Sequence, residues 1–124
     1  MRIAVYEDNN EHAQRLIRLI KQWAKSTNTE ITSFTFNSVF ETANTAIFDC
    51  ILLDVEMPGM NGIDFIRSFL PKKRVPFIVI TSSPTRAFDA ISAGAVEFMK
   101  KPLVQNSKLN KFQISKIKSL SIRG

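Results

Sequence analysis

The sequence predicts an α/β protein, a doubly wound sheet of five parallel strands with helices on both faces. Short apolar runs of strand length alternate with stretches of helical period, the pattern of repeated β/α units. Three of those runs, Arg2-Ile-Ala-Val-Tyr6, Cys50-Ile-Leu-Leu53 and Phe77-Ile-Val-Ile80, are apolar almost throughout. Strands covered on both faces read that way. Short connections between the units imply a right-handed crossover in each.

Taken in order, residues 2–6 form the first strand. Asn9-Asn10 can cap a helix, and Ala13, Leu16, Ile17, Ile20, Trp23 and Ala24 then recur at helical spacing, so residues 11–26 read as an amphipathic helix. Ile31 to Phe36 is the second strand and Val39 to Ala46 a weak helix. Residues 50–53 make the third strand, and Ile63 to Leu70 a helix closed by Pro71. After the strand ending at Ile80, Pro84 and Gly94 bracket a helix over Ala87 to Ala93, and Val96 to Met99 supplies the last strand.

A chain of 124 residues that is 44% hydrophobic fits one domain with a core of its own. Residues 1–103 are expected to form its body and residues 104–124 a basic C-terminal helix. Cys50 is the single cysteine, which excludes an internal disulfide or a cysteine metal cluster and suits a reducing compartment. No apolar run approaches the roughly 20 residues that cross a bilayer, so a soluble, cytoplasmic protein is expected.

The net charge of +6 is concentrated at one end. Residues 1–99 hold 10 Lys/Arg against 11 Asp/Glu, whereas residues 100–124 hold seven Lys/Arg and no acid. In that tail Leu109, Phe112, Ile117 and Leu120 gather on one helical side and Lys108, Lys111 and Lys118 on the other. With no base-reading motif beside them, the lysines read as a solvated face, and direct nucleic-acid binding is not expected.

In a doubly wound sheet the functional site lies beyond the carboxyl ends of the strands. That edge collects Glu7, Asp8, Asp54, Thr81 and Lys101. Crowded carboxylates repel unless a cation shares their site, and oxygen ligands without His or Cys point to Mg²⁺ or Mn²⁺. Asp54, held between an apolar strand and the turn Glu56-Met-Pro-Gly-Met-Asn-Gly62, is the candidate nucleophile for an acyl phosphate. Metal, the Lys101 ammonium and the Thr81 hydroxyl would neutralise and hold phosphoryl oxygens. Singly, each residue has a structural explanation as a turn, cap or solvated group. Their joint placement at one edge favours chemistry.

Glu7-Asp8, Leu53-Asp-Val-Glu-Met-Pro-Gly-Met-Asn-Gly62, Thr81-Ser82 and Gly94-Ala-Val-Glu-Phe-Met-Lys-Lys-Pro102 together resemble, in order, the motifs of the receiver domains of two-component response regulators. The resemblance covers about residues 1–103 and implies the flavodoxin-like (βα)5 fold. It implies that a sensor histidine kinase phosphorylates Asp54, and that Asp8, Asp54 and the Glu56 backbone carbonyl bind Mg²⁺, with Glu7 acting on the metal partly through water. Thr81 and Lys101 would grip the phosphoryl group. Phe98 matches the family's switch aromatic, and Pro102 would follow a cis peptide bond. Phosphorylation would reshape the 82–99 surface toward an output domain, a partner protein or a second copy of the chain. Three positions depart from the commonest pattern: Glu7 where Asp is more usual, Phe98 without a tyrosine hydroxyl, and the small Ser83.

Two rival functions remain at this level. A small phosphohydrolase with an aspartyl nucleophile would resemble Asp-x-Asp at the first strand, but Asp54-Val-Glu56 lies at the third. An inert interaction module would share the fold without accepting phosphate. A P-loop nucleotide binder fails because its glycine-lysine motif is absent. The resemblance implies a phosphoacceptor domain that assists its own phosphoryl transfer and dephosphorylation, and not an enzyme. Parts of the sequence are similar to the receivers of chemotaxis protein-glutamate methylesterases, while Tyr6-Glu-Asp8 is closer to transcriptional regulators. His12 reads as a solvated helix residue, and Cys50 and Trp23 as core.

Overall fold

The computed structural model describes residues 1–37, 48–56, 62–69 and 75–101. Its elements run β1 (Arg2–Tyr6), α1 (Asn10–Ser26), β2 (Thr32–Phe36), β3 (Cys50–Asp54), α2 (Gly62–Phe69), β4 (Phe77–Thr81), α3 (Pro84–Ala93) and β5 (Glu97–Lys100). The strands form one parallel sheet, as the alternation of elements implies, and their order is β2-β1-β3-β4-β5. The expected helix at 39–46, the basic helix at 104–124 and the Lys101–Pro102 peptide bond lie outside the described residues.

Side chains alternate across the pleat, so the central strands feed two cores. Ile3, Val5, Leu52, Ile78 and Ile80 pack on one face with Leu16, Leu19, Ile20 and Trp23 of α1. Ala4, Tyr6, Ile51, Leu53, Phe77 and Val79 face the other way, against Ile63 and Ile66 of α2 and Ala90 of α3. This two-sided burial explains why β3 and β4 read as unbroken apolar runs. β2, at the sheet's edge, is only partly buried, and its Phe36 stacks on Tyr6 with ring centroids 5.0 Å apart. Cys50 and Trp23 are core, as expected, and burial pushes the Cys50 thiol well up from its ordinary value.

Local signals set the helix ends. The Asn9 side chain accepts the His12 amide at α1, and Ser83 caps α3 ahead of Pro84. Gly94 closes α3 with φ 121°, a conformation that a side chain would strain. At the start of α2, a Cβ on Gly62 would lie 2.9 Å from the Val55 Cα, so this close approach to the end of β3 needs glycine. The last strand sits one residue later than expected, because Glu97 to Lys100 rather than Val96 to Met99 pair with Ile78 to Thr81. In this register Met99 points into the core and Phe98 outward.

Candidate functional site

β1 and β3 lie side by side, and the chain leaves them toward opposite halves of the sheet. The crevice beyond their carboxyl ends is the topological switch point, where open α/β sheets bind ligands. β1 runs into Glu7 and Asp8, β3 ends on Asp54, β4 ends on Thr81 and β5 leads to Lys101. Sheet pairing fixes all four positions, and the Lys101 amide continues the ladder by donating to the Thr81 carbonyl at 3.0 Å.

The expected carboxylates do converge. Glu7, Asp8 and Asp54 each offer an oxygen within 4.8 Å of the others, with Glu7 and Asp54 buried and Asp8 exposed. The Lys101 ammonium stands 2.9 Å from Asp54 Oδ2 and 3.5 Å from Glu56 Oε2. On its other oxygen Asp54 accepts the Glu56 amide at 2.9 Å, an Asx-type bond that holds the carboxylate to its own turn. Thr81 is buried, and its hydroxyl points into the site.

Charge and burial pull these groups in different directions. Burial, then hydrogen bonding and repulsion from Asp54, hold the Glu7 carboxyl well above the ordinary carboxylate range. Burial lowers the Lys101 ammonium, but the Asp54 hydrogen bond and the charges of Asp54, Glu7 and Glu56 outweigh it and raise it from its ordinary value. Glu56 goes the opposite way to Glu7. Burial opposes its charge, yet donors from Thr81 and Ser82, together with Lys101, bring it down to about 2.

Glu7 Oε2 is buried and finds no hydrogen-bond donor among the described residues. It faces a second carboxylate, so only a shared proton or a cation can satisfy the pair. The acids are all-oxygen ligands on one side of a solvent-connected crevice, which fits a hard divalent ion of the Mg²⁺ or Mn²⁺ type. A cavity of about 200 Å³ borders them, lined in part by Glu7, His12, Arg15, Asp54, Ser82 and Lys101.

Three features were not legible in the sequence. The Glu56 side chain, expected to matter only through its backbone, turns inward to Thr81, Ser82 and Lys101. His12, expected to be solvated, sets Nδ1 3.0 Å from Glu7 Oε1. It occupies the third helical position after the Asn9 cap, from which a side chain reaches back toward the preceding loop, and that spacing was the available signal. Arg86 of α3 donates to the Val55 carbonyl at 3.3 Å, tying the helix to the end of β3. Phe98 stands apart from the acids and is 46% exposed.

A doubly wound domain with acids, a hydroxyl and a lysine gathered at its switch point has the build of a CheY-like signalling domain of two-component systems. The sequence matches the response regulator receiver domain over residues 3–113, and the chain belongs to that family. It is 41% identical over 78 residues to protein-glutamate methylesterase/protein-glutamine glutaminase 2 of Syntrophomonas wolfei. That stretch is 60% of this chain and 23% of the relative, so the chain spans under a quarter of the relative's length. The fold is similar to that of a response regulator receiver protein from Pseudoalteromonas atlantica, with TM-score 0.72 at 18% identity over 96% of this chain and 98% of that one. A two-component response regulator from Clostridium difficile gives TM-score 0.68 at 15% identity, over 97% and 94% of the two chains. Among the described residues no helix is long and apolar enough to cross a membrane.

Proposed function

We propose that this receiver is a phosphoacceptor switch in which Asp54 takes a phosphoryl group from the phosphohistidine of a sensor kinase. The observation that carries the reading is the buried Asp54 carboxylate, set 2.9 Å from the Lys101 ammonium within a cluster of acids. An Asp54 oxygen attacks phosphorus and forms the acyl-phosphate P–O bond while the P–N bond to the donor histidine breaks, its electron pair staying on the ring. With a small donor such as acetyl phosphate, a P–O bond breaks and acetate leaves. Glu7, Asp8, Asp54 and the Glu56 backbone carbonyl would hold Mg²⁺, or Mn²⁺, whose chemistry is to neutralise charge on the phosphoryl oxygens. Lys101 and the Thr81 hydroxyl donate to those oxygens, and such preorganised donors are the main catalytic resource of phosphoryl transfer.

The 82–99 surface is the output. A bond from Thr81 to phosphate draws in residues 82–84, and the half-exposed Phe98 ring turns toward the space they leave. An output domain, a partner protein or a second copy then binds one state preferentially, and a differential affinity of a few kcal/mol suffices. The domain acts in the cytoplasm as an acceptor and not as a turnover enzyme. Similarity to methylesterases supports a chemotaxis-type pathway.

Incubation with acetyl phosphate and Mg²⁺ is expected to add one phosphoryl group, read by intact mass. Equal labelling of Asp54→Asn would overturn the assignment, and sustained turnover of an organic phosphate would favour a phosphohydrolase.

A further inference from the structure

The Glu56 carboxylate has more donors than any turn requires. Its Oε1 accepts the Thr81 hydroxyl at 2.6 Å, the Ser82 amide at 2.9 Å and the Ser82 hydroxyl at 3.1 Å. Its Oε2 lies 3.5 Å from the Lys101 ammonium. Two hydroxyls, one backbone amide and one ammonium converging on an anion make a built oxyanion site. Thr81 and Lys101 are also the two side chains that the acceptor reading assigns to the phosphoryl oxygens. A carboxylate oxygen and a phosphoryl oxygen are the same kind of acceptor for these donors, and the single hydroxyl proton of Thr81 cannot serve both at once.

We propose that Glu56 is an intramolecular plug, its carboxylate occupying the phosphoryl-oxygen positions of the resting domain and having to leave before Asp54 is phosphorylated. The inference rests on the phosphoacceptor reading and adds the residue that sets its rate. The plug is local and reversible. Glu56 lies two residues beyond Asp54, and its amide is already pinned to Asp54 Oδ1, so a side-chain rotation alone withdraws the carboxylate while the turn stays in place. Lys101 bridges the acceptor and the plug, at 2.9 Å from Asp54 and 3.5 Å from Glu56, so withdrawal leaves the ammonium on the acceptor. Only the withdrawn fraction of molecules can receive phosphate, and the observed rate and anion affinity fall by that fraction.

Removing one charge-assisted partner from such a site changes an equilibrium by about tenfold. Wild type, Glu56→Gln, Glu56→Ala and Asp54→Asn are to be labelled with acetyl phosphate and Mg²⁺, and titrated with beryllofluoride as phosphoryl mimic. Glutamine keeps an acceptor for the Ser82 amide and loses only the charge, which separates the plug from a simple loop tie. Both Glu56 variants should label about tenfold faster than wild type and bind beryllofluoride about tenfold more tightly. Rates and affinities within twofold of wild type in folded variants would overturn the plug and leave the acceptor reading intact. Labelling of no protein at all would remove both. A measurement on wild type covers the case of a variant that does not fold. The Ser82 amide resonance should shift along the same isotherm as beryllofluoride binding, since its acceptor is being replaced. Binding that leaves the Ser82 amide where it was refutes displacement.

Discussion

Asp49 and Asp54 stand at the two ends of β3, and both are nearly buried, at 7% and 3% exposure. At the amino edge Asp49 accepts the Arg2 amide at 2.7 Å, while its own amide donates to the Arg2 carbonyl at 2.7 Å. This charge is compensated by the backbone beside it and ties β1 to the start of β3. At the carboxyl edge Asp54 faces a second buried acid, Glu7, one of whose oxygens finds no donor among the described residues, with Asp8 close by. Burial of a carboxylate therefore does not distinguish structure from function here. What distinguishes them is whether the folded chain supplies enough donors, because a deficit is held in place only where something else makes it up.

Labelling should separate the two ends of β3 most strongly. Lys101→Ala should lower the phosphorylation rate by about 100-fold, the usual cost of one preorganised donor. Asp49→Ala should leave the rate within about twofold, measured by intact mass over time with acetyl phosphate. If Asp49→Ala matched Lys101→Ala in a folded protein, the two ends of β3 would not be functionally distinct.

Metal should separate the ends next. Mg²⁺ at about 100 times its Kd is expected to add about 2.7 kcal/mol of stability, seen as a higher Tm that chelation reverses. Asp8→Ala should lose that gain while Asp49→Ala keeps it. An equal metal response in wild type and Asp8→Ala would place the ion elsewhere.

Stability of the metal-free chain gives a contrast of sign. Asp49→Ala should cost about 1–3 kcal/mol by leaving the part-buried Arg2 amide without this partner. Glu7→Gln should instead stabilise the chain at pH 8. Glu7 has its folded pKa raised above the unfolded value, so its contribution is fully present below the ordinary carboxylate range and is lost as pH rises through the raised value. Melting curves without Mg²⁺ should accordingly fall between pH 6 and pH 9 in wild type and fall less in Glu7→Gln. A parallel fall in both would remove Glu7 as the cause.

Phe98→Ala should produce the smallest change, because a ring that is 46% exposed loses little burial. Stability should stay within about 0.5 kcal/mol and labelling should be unaffected. The amide-exchange response of residues 82–99 to beryllofluoride should shrink in Phe98→Ala and in Thr81→Ala. An identical response in all three proteins would show that the output surface does not move through these side chains.

The alternation of strands and helices, the both-sided burial of β1, β3 and β4, and the placement of Glu7, Asp8, Asp54, Thr81 and Lys101 at strand ends follow from local sequence patterns. These are local properties: a period of two or 3.6, a cap such as Asn9, a breaker such as Gly94. Tertiary structure decided the rest. Only the order β2-β1-β3-β4-β5 brings Glu7 against Asp54, and only the register of β4 on β5 sets Lys101 beside Thr81 and turns Phe98 outward. The direction of the Glu56 side chain could not be read at all, because its partners lie 25 and 26 residues further along the chain. Glutamate in a turn ordinarily faces water, and here three donors on a neighbouring strand end outweigh hydration, a balance that exists only once that strand has been laid beside its own.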